Sequence, residues 1–390
     1  MEINMFTERT NWNSKSNRVA QKAAALRSSG RKLLDLTQSN PTRCGFRYLD
    51  SHMLDPLMRA DALVHHPSPK GLTEPREAIA AYYRSQGFEV DPFHICIVAG
   101  TSDAYSYLFR MLLEPGESLL VPSPSYPLLD FIARLNDVTL KSYPLHYDDR
   151  WWVDIDAIRE TADDRTRAIV IINPNNPTGS FVSKGEMRDI VAFARERQIA
   201  LIVDEVFFDY QLCDETPHSA VMIDSALTFT LNGISKTLGL PQMKLSWVVV
   251  GGPADLVATA SERLDIIADT YLSASTPIQL ALKGWLDHKD DIQSEILGRV
   301  RENRSTLQSF DACTTLNIAG GWSAIVRVPS LTGAEDFVLQ LMEKDGVLVD
   351  PGSFYGFASD NYIVLSLLPA SDVFREAAAL MDRRIRITTA

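Results

Sequence analysis

Short apolar runs that alternate with amphipathic stretches constrain this chain more than any other feature. Ile95–Val98 is followed by the helix-patterned Asp103–Leu113, Ser118–Val121 by Tyr126–Leu135, and Ala168–Ile172 by Ser183–Arg197. Ala200–Val203, Leu227–Leu231 and Trp247–Val250 continue the series. Runs this short, with no polar alternation, read as strands buried on both faces. Such strands need a helical layer on each side, so the sequence predicts an α/β fold with a mostly parallel central sheet. In such sheets ligands lie beyond the carboxyl ends of the strands.

At 390 residues the chain exceeds what one core usually supports. The strand-like Trp322–Val328 and Tyr362–Leu367, with helical Ala334–Lys344 and Ala370–Met381, predict a smaller α+β unit. The expected division is 1–50 as an N-terminal segment packed on the small domain, 51–290 as the large domain and 291–390 as the small one. A helix over 16–29 is expected to meet the small domain.

Hydrophobic residues make up 45% and charged residues 23%, and no apolar run approaches the ~20 residues of a membrane span. The net charge of −12 argues against nucleic acid or an anionic membrane as partner. Cys44, Cys96, Cys213 and Cys313 are scattered and form no metal or disulfide pattern. The polar opening MEINMFTERTNWNSKSN has no signal-peptide core, so a cytoplasmic setting is expected.

Chemistry-bearing residues fall where each strand ends. Ala99-Gly100-Thr101-Ser102-Asp103 reads either as a phosphate cradle at a helix start or as a helix capped by Ser102 or Asp103. Asn173-Pro174-Asn175-Asn176-Pro177-Thr178-Gly179 reads either as a plain turn or as a device that presents amide groups. Tyr126, after Ser-Pro-Ser, is either core or a stacking ring. Asp204 closes a buried run and is either a cap or a carboxylate that faces a cation. Lys236, in NGISKTLGLPQMK, sits between a buried strand and a Gly/Pro-rich loop, where a buried amine needs a partner or a covalent bond.

The order SPSYPLL, NPNNPTG, DEV, SK resembles the class I/II aminotransferases, the fold type I pyridoxal phosphate enzymes, from SNPT at Ser39–Thr42 to LSLLP at Leu365–Pro369. The resemblance implies pyridoxal 5'-phosphate as cofactor and Lys236 as its Schiff-base lysine and proton shuttle. Asp204 would pair with the ring nitrogen, Asn176 with the ring 3-oxygen, and Tyr126 would stack on the ring. Thr101, Ser102, Ser235 and Lys244 would hold the phosphate. It also implies a transfer of amino groups between an amino acid and a 2-oxo acid, and a homodimer with shared active sites.

Four departures stand out. Phe207 occupies the place of a tyrosine that donates to the 3-oxygen, so the lysine-bound cofactor should hold its proton to higher pH; Tyr210 would substitute only if the backbone differed there. Lys244 replaces an arginine, and His65 or His66 lies where a partner-directed tyrosine is usual. Val364 stands where an arginine binds the substrate carboxylate, which leaves Asn40, Arg43 and His66 as substrate-site candidates. These changes keep open an elimination, decarboxylation, cyclisation or oxidation on the same cofactor. A non-catalytic ligand sensor is a third reading, disfavoured because no basic helix-turn-helix segment precedes residue 30.

Overall fold

The computed structural model describes residues 5–12, 17–48, 51–214, 217–272, 274–329 and 333–389, with Ser51 and His52 described by backbone alone. Eight strands form the central sheet: β1 (Ile95–Val98), β2 (Ser118–Ser123), β3 (Thr139–Asp148), β4 (Arg150–Val153), β5 (Thr166–Ile172), β6 (Ala200–Asp204), β7 (Thr228–Gly233) and β8 (Ser246–Gly251). Their order is β1-β8-β7-β6-β5-β2-β3-β4. Strands β7, β6, β5, β2 and β3 run parallel as neighbours. β8 is antiparallel to both its neighbours, and β4 closes the far edge as a hairpin with β3. The hairpin is absent from the sequence reading because β3 is half exposed and polar, a pattern weaker than the buried runs.

The predicted runs are buried throughout, as in β6 and β7, where every residue is enclosed. Helices on both sides account for this. Helix Lys184–Arg197 begins with a capping box between Ser183 and Glu186 and ends at Gln198 in the left-handed region.

The second unit is a four-stranded antiparallel sheet of β9 (Thr314–Thr315), β10 (Ser323–Arg327), β11 (Asp350–Pro351) and β12 (Tyr362–Ser366), in the order β9-β10-β12-β11. Helices Ala334–Asp345 and Ser371–Thr389 pack with it. The N-terminal helix Arg18–Ser28 lies along Ala334–Asp345, with Arg18 beside Glu335 and Asp336 and Lys22 2.9 Å from Glu343. Leu34–Asp35 then pairs in parallel with Val347–Leu348.

The two sheets meet at the carboxyl edge of the large one. Leu212 N donates to Ala319 O and Gly321 N to Tyr210 O, each at 2.8 Å, and Ser125 N donates to Tyr355 O at 2.9 Å. Gly179, at φ +67°, brings NPNNPTG against Gly320 so closely that a Cβ there would overlap the Gly320 carbonyl.

Candidate functional site

Sheet register decides which residues share this edge. Ile172 is level with Asp204 and Asp204 with Leu231, and the ladder runs on as Asn173 N and Glu205 N donate to Asp204 O and Leu231 O at 2.8 Å. Val98 and Gly233 both pair with Ser246. The segments that begin at Ala99, Asn173, Glu205 and Ile234 therefore open at one place.

Lys236 lies on Ile234–Thr237, a helix of 4 residues, too short to hold itself. Neighbours fix it. Tyr210 donates its phenol to Lys236 O at 2.7 Å. Asn232 Oδ1 accepts from Gly233 N at 2.7 Å and Thr237 Oγ1 at 3.1 Å, and Gln293 Nε2 donates to Thr237 O at 2.9 Å. Behind Asn232, Tyr82 donates to Asp209 at 3.0 Å. The Lys236 ammonium sits 5.4 Å from the Phe207 ring centroid and 5.3 Å from that of Trp322. Burial lowers its pKa, and the Asp204 carboxylate pulls the other way. An amine with a depressed pKa is a better nucleophile at neutral pH. Because the Tyr210 phenol is spent on the Lys236 backbone, it does not replace the hydroxyl missing at Phe207.

Asp204 is enclosed, with Oδ2 accepting from Tyr105 OH at 2.9 Å and Oδ1 from Val206 N at 3.1 Å. Burial pushes its pKa up to about 6, against the pull of those bonds and of Lys236. A buried acid poised this way gains most from a cationic N–H at its open side. Tyr105, one turn into helix Thr101–Leu112, is missing from the sequence reading because a tyrosine in an apolar helix face reads as core. Tyr126 is 46% exposed, its phenol raised by burial and then by the charge of Asp204. Asn176 is half-buried beside a cis bond to Pro177, and its side-chain amide makes no hydrogen bond among the described residues.

The helix start is not capped by Ser102 or Asp103. Gly100 is the N-cap residue and supplies no side-chain bond, which leaves the first N–H groups and the Thr101 and Ser102 hydroxyls without protein partners. Lys244, at φ +53°, places its ammonium 3.1 Å from where a Cβ on Gly100 would stand. Among the described residues no acid pairs with it. Unpaired N–H groups, two hydroxyls and a free ammonium make a cradle for a phosphate dianion. Ser235 lies half-buried beside Lys236.

The substrate-site candidates fare differently. Asn40 Oδ1 is committed to Thr42, accepting from N at 3.1 Å and Oγ1 at 2.8 Å. Arg43 is exposed on the turn Pro41–Arg43, whose Pro41 packs near Gly239. His65 and His66 are exposed, with His65 in a cleft lined also by Asp269 and Leu272. Among the described residues none of the four makes a hydrogen bond or ion pair with Lys236. Val364 is 2% exposed and level with Ile325 and Asp350. Asp350 accepts from Tyr355 OH at 3.2 Å, and burial pushes its pKa up to about 6.

A buried lysine, a buried acid one strand away, a free amide and a helix start with unpaired N–H groups on a fold of this topology are the features of a class of pyridoxal phosphate enzymes. Residues 60–378 match the family model for aminotransferase class I and II. The glutamate-pyruvate aminotransferase AlaA of Haemophilus influenzae is 30% identical over 380 residues, covering 94% of this chain and 93% of its own. That of Escherichia coli K12 is 33% identical over 367 residues, covering 91% and 90%. The solved alanine aminotransferase of Pyrococcus furiosus superposes with a TM-score of 0.87 at 26% identity, over 95% of this chain and 96% of its own. The chain belongs to the class I and II aminotransferases and is a pyridoxal phosphate-dependent enzyme. Among the described residues no helix is long and apolar enough to cross a membrane.

These groups fit the cofactor: the Asn176 amide would take the ring oxygen, the buried Asp204 carboxylate, held by Tyr105 and Val206, the ring nitrogen, and Gly100–Ser102 with Lys244 the phosphate. When bound, pyridoxal phosphate supplies the electron sink that makes the substrate Cα–H acidic.

Proposed function

We propose that the enzyme moves an amino group between an amino acid and a 2-oxo acid, with alanine and pyruvate as the first couple to try because the relatives carry those names. The observation that carries this reading is the Lys236 amine, walled by Phe207 and Trp322 and tuned by the buried Asp204. In it Lys236 binds the cofactor covalently and then moves the proton to and from the substrate Cα. Asp204, held by Tyr105, keeps the ring nitrogen protonated, and Asn176 donates to the ring oxygen. Tyr126 covers the ring, Thr101, Ser102, Ser235 and Lys244 bind the phosphate, and Phe207 contributes surface without a donor. Arg43, on the turn whose Pro41 packs near Gly239, is the candidate cation for the substrate carboxylate.

We also infer a division into 1–50, 51–290 and 291–390, and a cytoplasmic homodimer whose sites are shared. Supporting the dimer, Met58, Leu63, Phe93, Ile266 and Leu272 are 63–91% exposed. Several of them flank the His65–Lys70 segment, where Lys70 bridges Phe93 and Asp265 and His65 shares a cleft with Leu272. His66 would then face the partner's site.

The test is an absorption titration of cofactor-loaded protein with L-alanine, then pyruvate. Loss of the visible band on alanine, reversed by pyruvate, is expected. Lys236→Ala should lack the lysine-bound band and lose about 10^4-fold in turnover. Ammonia or carbon dioxide released without that reversal would rule the reading out.

A further inference from the structure

One segment of the chain meets Lys236 at both of its ends. Asp204–Tyr210 begins with the carboxylate that pulls on the amine, presents the Phe207 ring 5.4 Å from it, and finishes with the Tyr210 phenol on the Lys236 carbonyl at 2.7 Å. Among the described residues that phenol is the only side-chain donor to the carbonyl, beside the backbone N–H of Gly239 at 3.0 Å. Tyr210 is fully buried, so its hydroxyl finds no water if the carbonyl moves away. A buried donor left alone carries its full desolvation cost, and the bond therefore resists any drift of the Lys236 turn.

The support is itself anchored. Tyr210 N donates to Phe207 O at 2.9 Å, its carbonyl accepts from Gly321 N at 2.8 Å, and its ring stands edge-on to Trp322 at 4.8 Å. Leu212 N adds a bond to Ala319 O at 2.8 Å. The lead-in to β10 of the second sheet thus braces the residue that holds Lys236, whose own helix of 4 residues is too short to do so. Proton transfer between one amine and one carbon loses rate steeply when the amine is misplaced by about an ångström.

We propose that Tyr210 is a positioning residue, whose phenol fixes the Lys236 backbone and so holds the amine beside Asp204 and out of water. This rests on the assignment of Lys236 as the lysine that binds the cofactor. Tyr210 acts through Lys236 rather than on the substrate.

The test compares Tyr210→Phe with the wild type and with Tyr143→Phe. Tyr143, 1% exposed, also gives its phenol to a backbone carbonyl, Val170 O at 2.8 Å, but on β3, at the other end of the parallel run from β7, which leads to Lys236. Both variants keep the ring and lose the same kind of bond, and the Lys236 carbonyl keeps Gly239 N, so both should fold. Three quantities are read. They are the pH profile for formation of the lysine-bound band by cofactor-free protein, the α-hydrogen exchange in heavy water of the amino acid that discharges that band fastest, and the cofactor-free melting temperature.

In Tyr210→Phe the amine gains water, so the profile for band formation should move to higher pH, toward that of an ordinary lysine. Asp204, the charge acting on that amine, is unchanged. Exchange should be about 10-fold slower or more. Tyr143→Phe should lower the melting temperature by a similar margin and leave the other two quantities at their wild-type values.

An exchange rate within about twofold of Tyr143→Phe, or a band-formation profile with the same midpoint, would overturn the proposal. A melting temperature far below that of Tyr143→Phe would assign the bond to folding and overturn it too. Absence of the lysine-bound band in the wild type, or a band that no amino acid discharges, would instead defeat the reading on which the proposal rests.

Discussion

Glu205 follows Asp204 directly and turns the other way, into the protein. It is fully buried, with Oε2 accepting from Ser219 Oγ at 2.6 Å and Oε1 from Ala220 N at 2.7 Å, yet burial pushes its pKa up to about 8. The sign of the consequence is opposite to that of an ordinary paired carboxylate. The folded state keeps a proton that the unfolded chain releases above its ordinary value of 4.5, so this group lowers stability as pH rises from about 4.5 to about 8. Glu205→Gln preserves both hydrogen bonds, since the amide nitrogen can donate to Ser219 Oγ. The variant should gain stability over wild type progressively across that window, read as urea midpoints in a pH series. Parallel midpoints from pH 4.5 to 8 would show that Glu205 does not titrate there.

Among the elements, the segment Asn173–Ser180 depends most on its surroundings. Asn175 ties it together, with Oδ1 accepting from Thr178 N at 3.2 Å and Thr178 Oγ1 at 2.9 Å, and Nδ2 donating to Pro124 O at 3.3 Å. Asn176 is thereby left with no side-chain hydrogen bond among the described residues. Gly179 closes the segment in a left-handed conformation against the Gly320 carbonyl, so that the amide-bearing turn and the lead-in to Trp322 press on each other. Gly179→Ala should cost about 2 kcal/mol or more, from the left-handed backbone and the overlap together. Equilibrium urea unfolding would show it as a lower midpoint at unchanged slope. The motif was legible either as a plain turn or as a device that presents amides. Which asparagine holds the turn and which stays free was not, because that depends on Pro124 and Thr178 meeting in space.

At the scale of the whole molecule, the apolar surface near His65–Lys70 bears on assembly and on activity. Leu63 is 91% exposed, a position where a lone subunit gains nothing from leucine. The proposed homodimer with shared sites predicts that Leu63→Glu shifts the enzyme toward monomer in light scattering and lowers turnover in step. A monomeric wild type with full activity would sink that assembly. By itself the sequence determined the α/β class and the line of strand ends on which Lys236, Asp204, Asn176 and Tyr126 were expected as a site. It could do so because buried strands have a composition of their own and parallel strands end on one side. Only the tertiary structure decided that Tyr105 supports Asp204, that Tyr210 is bound to the Lys236 backbone rather than free for the cofactor, and that the Trp322 ring, just before the second sheet's strand β10, lies beside the amine. Those relations join residues 26 to 99 positions apart in the hydrogen bonds, and residues of two different sheets for the indole. Hydrophobic pattern encodes which face of an element is buried, but not which distant side chain completes it.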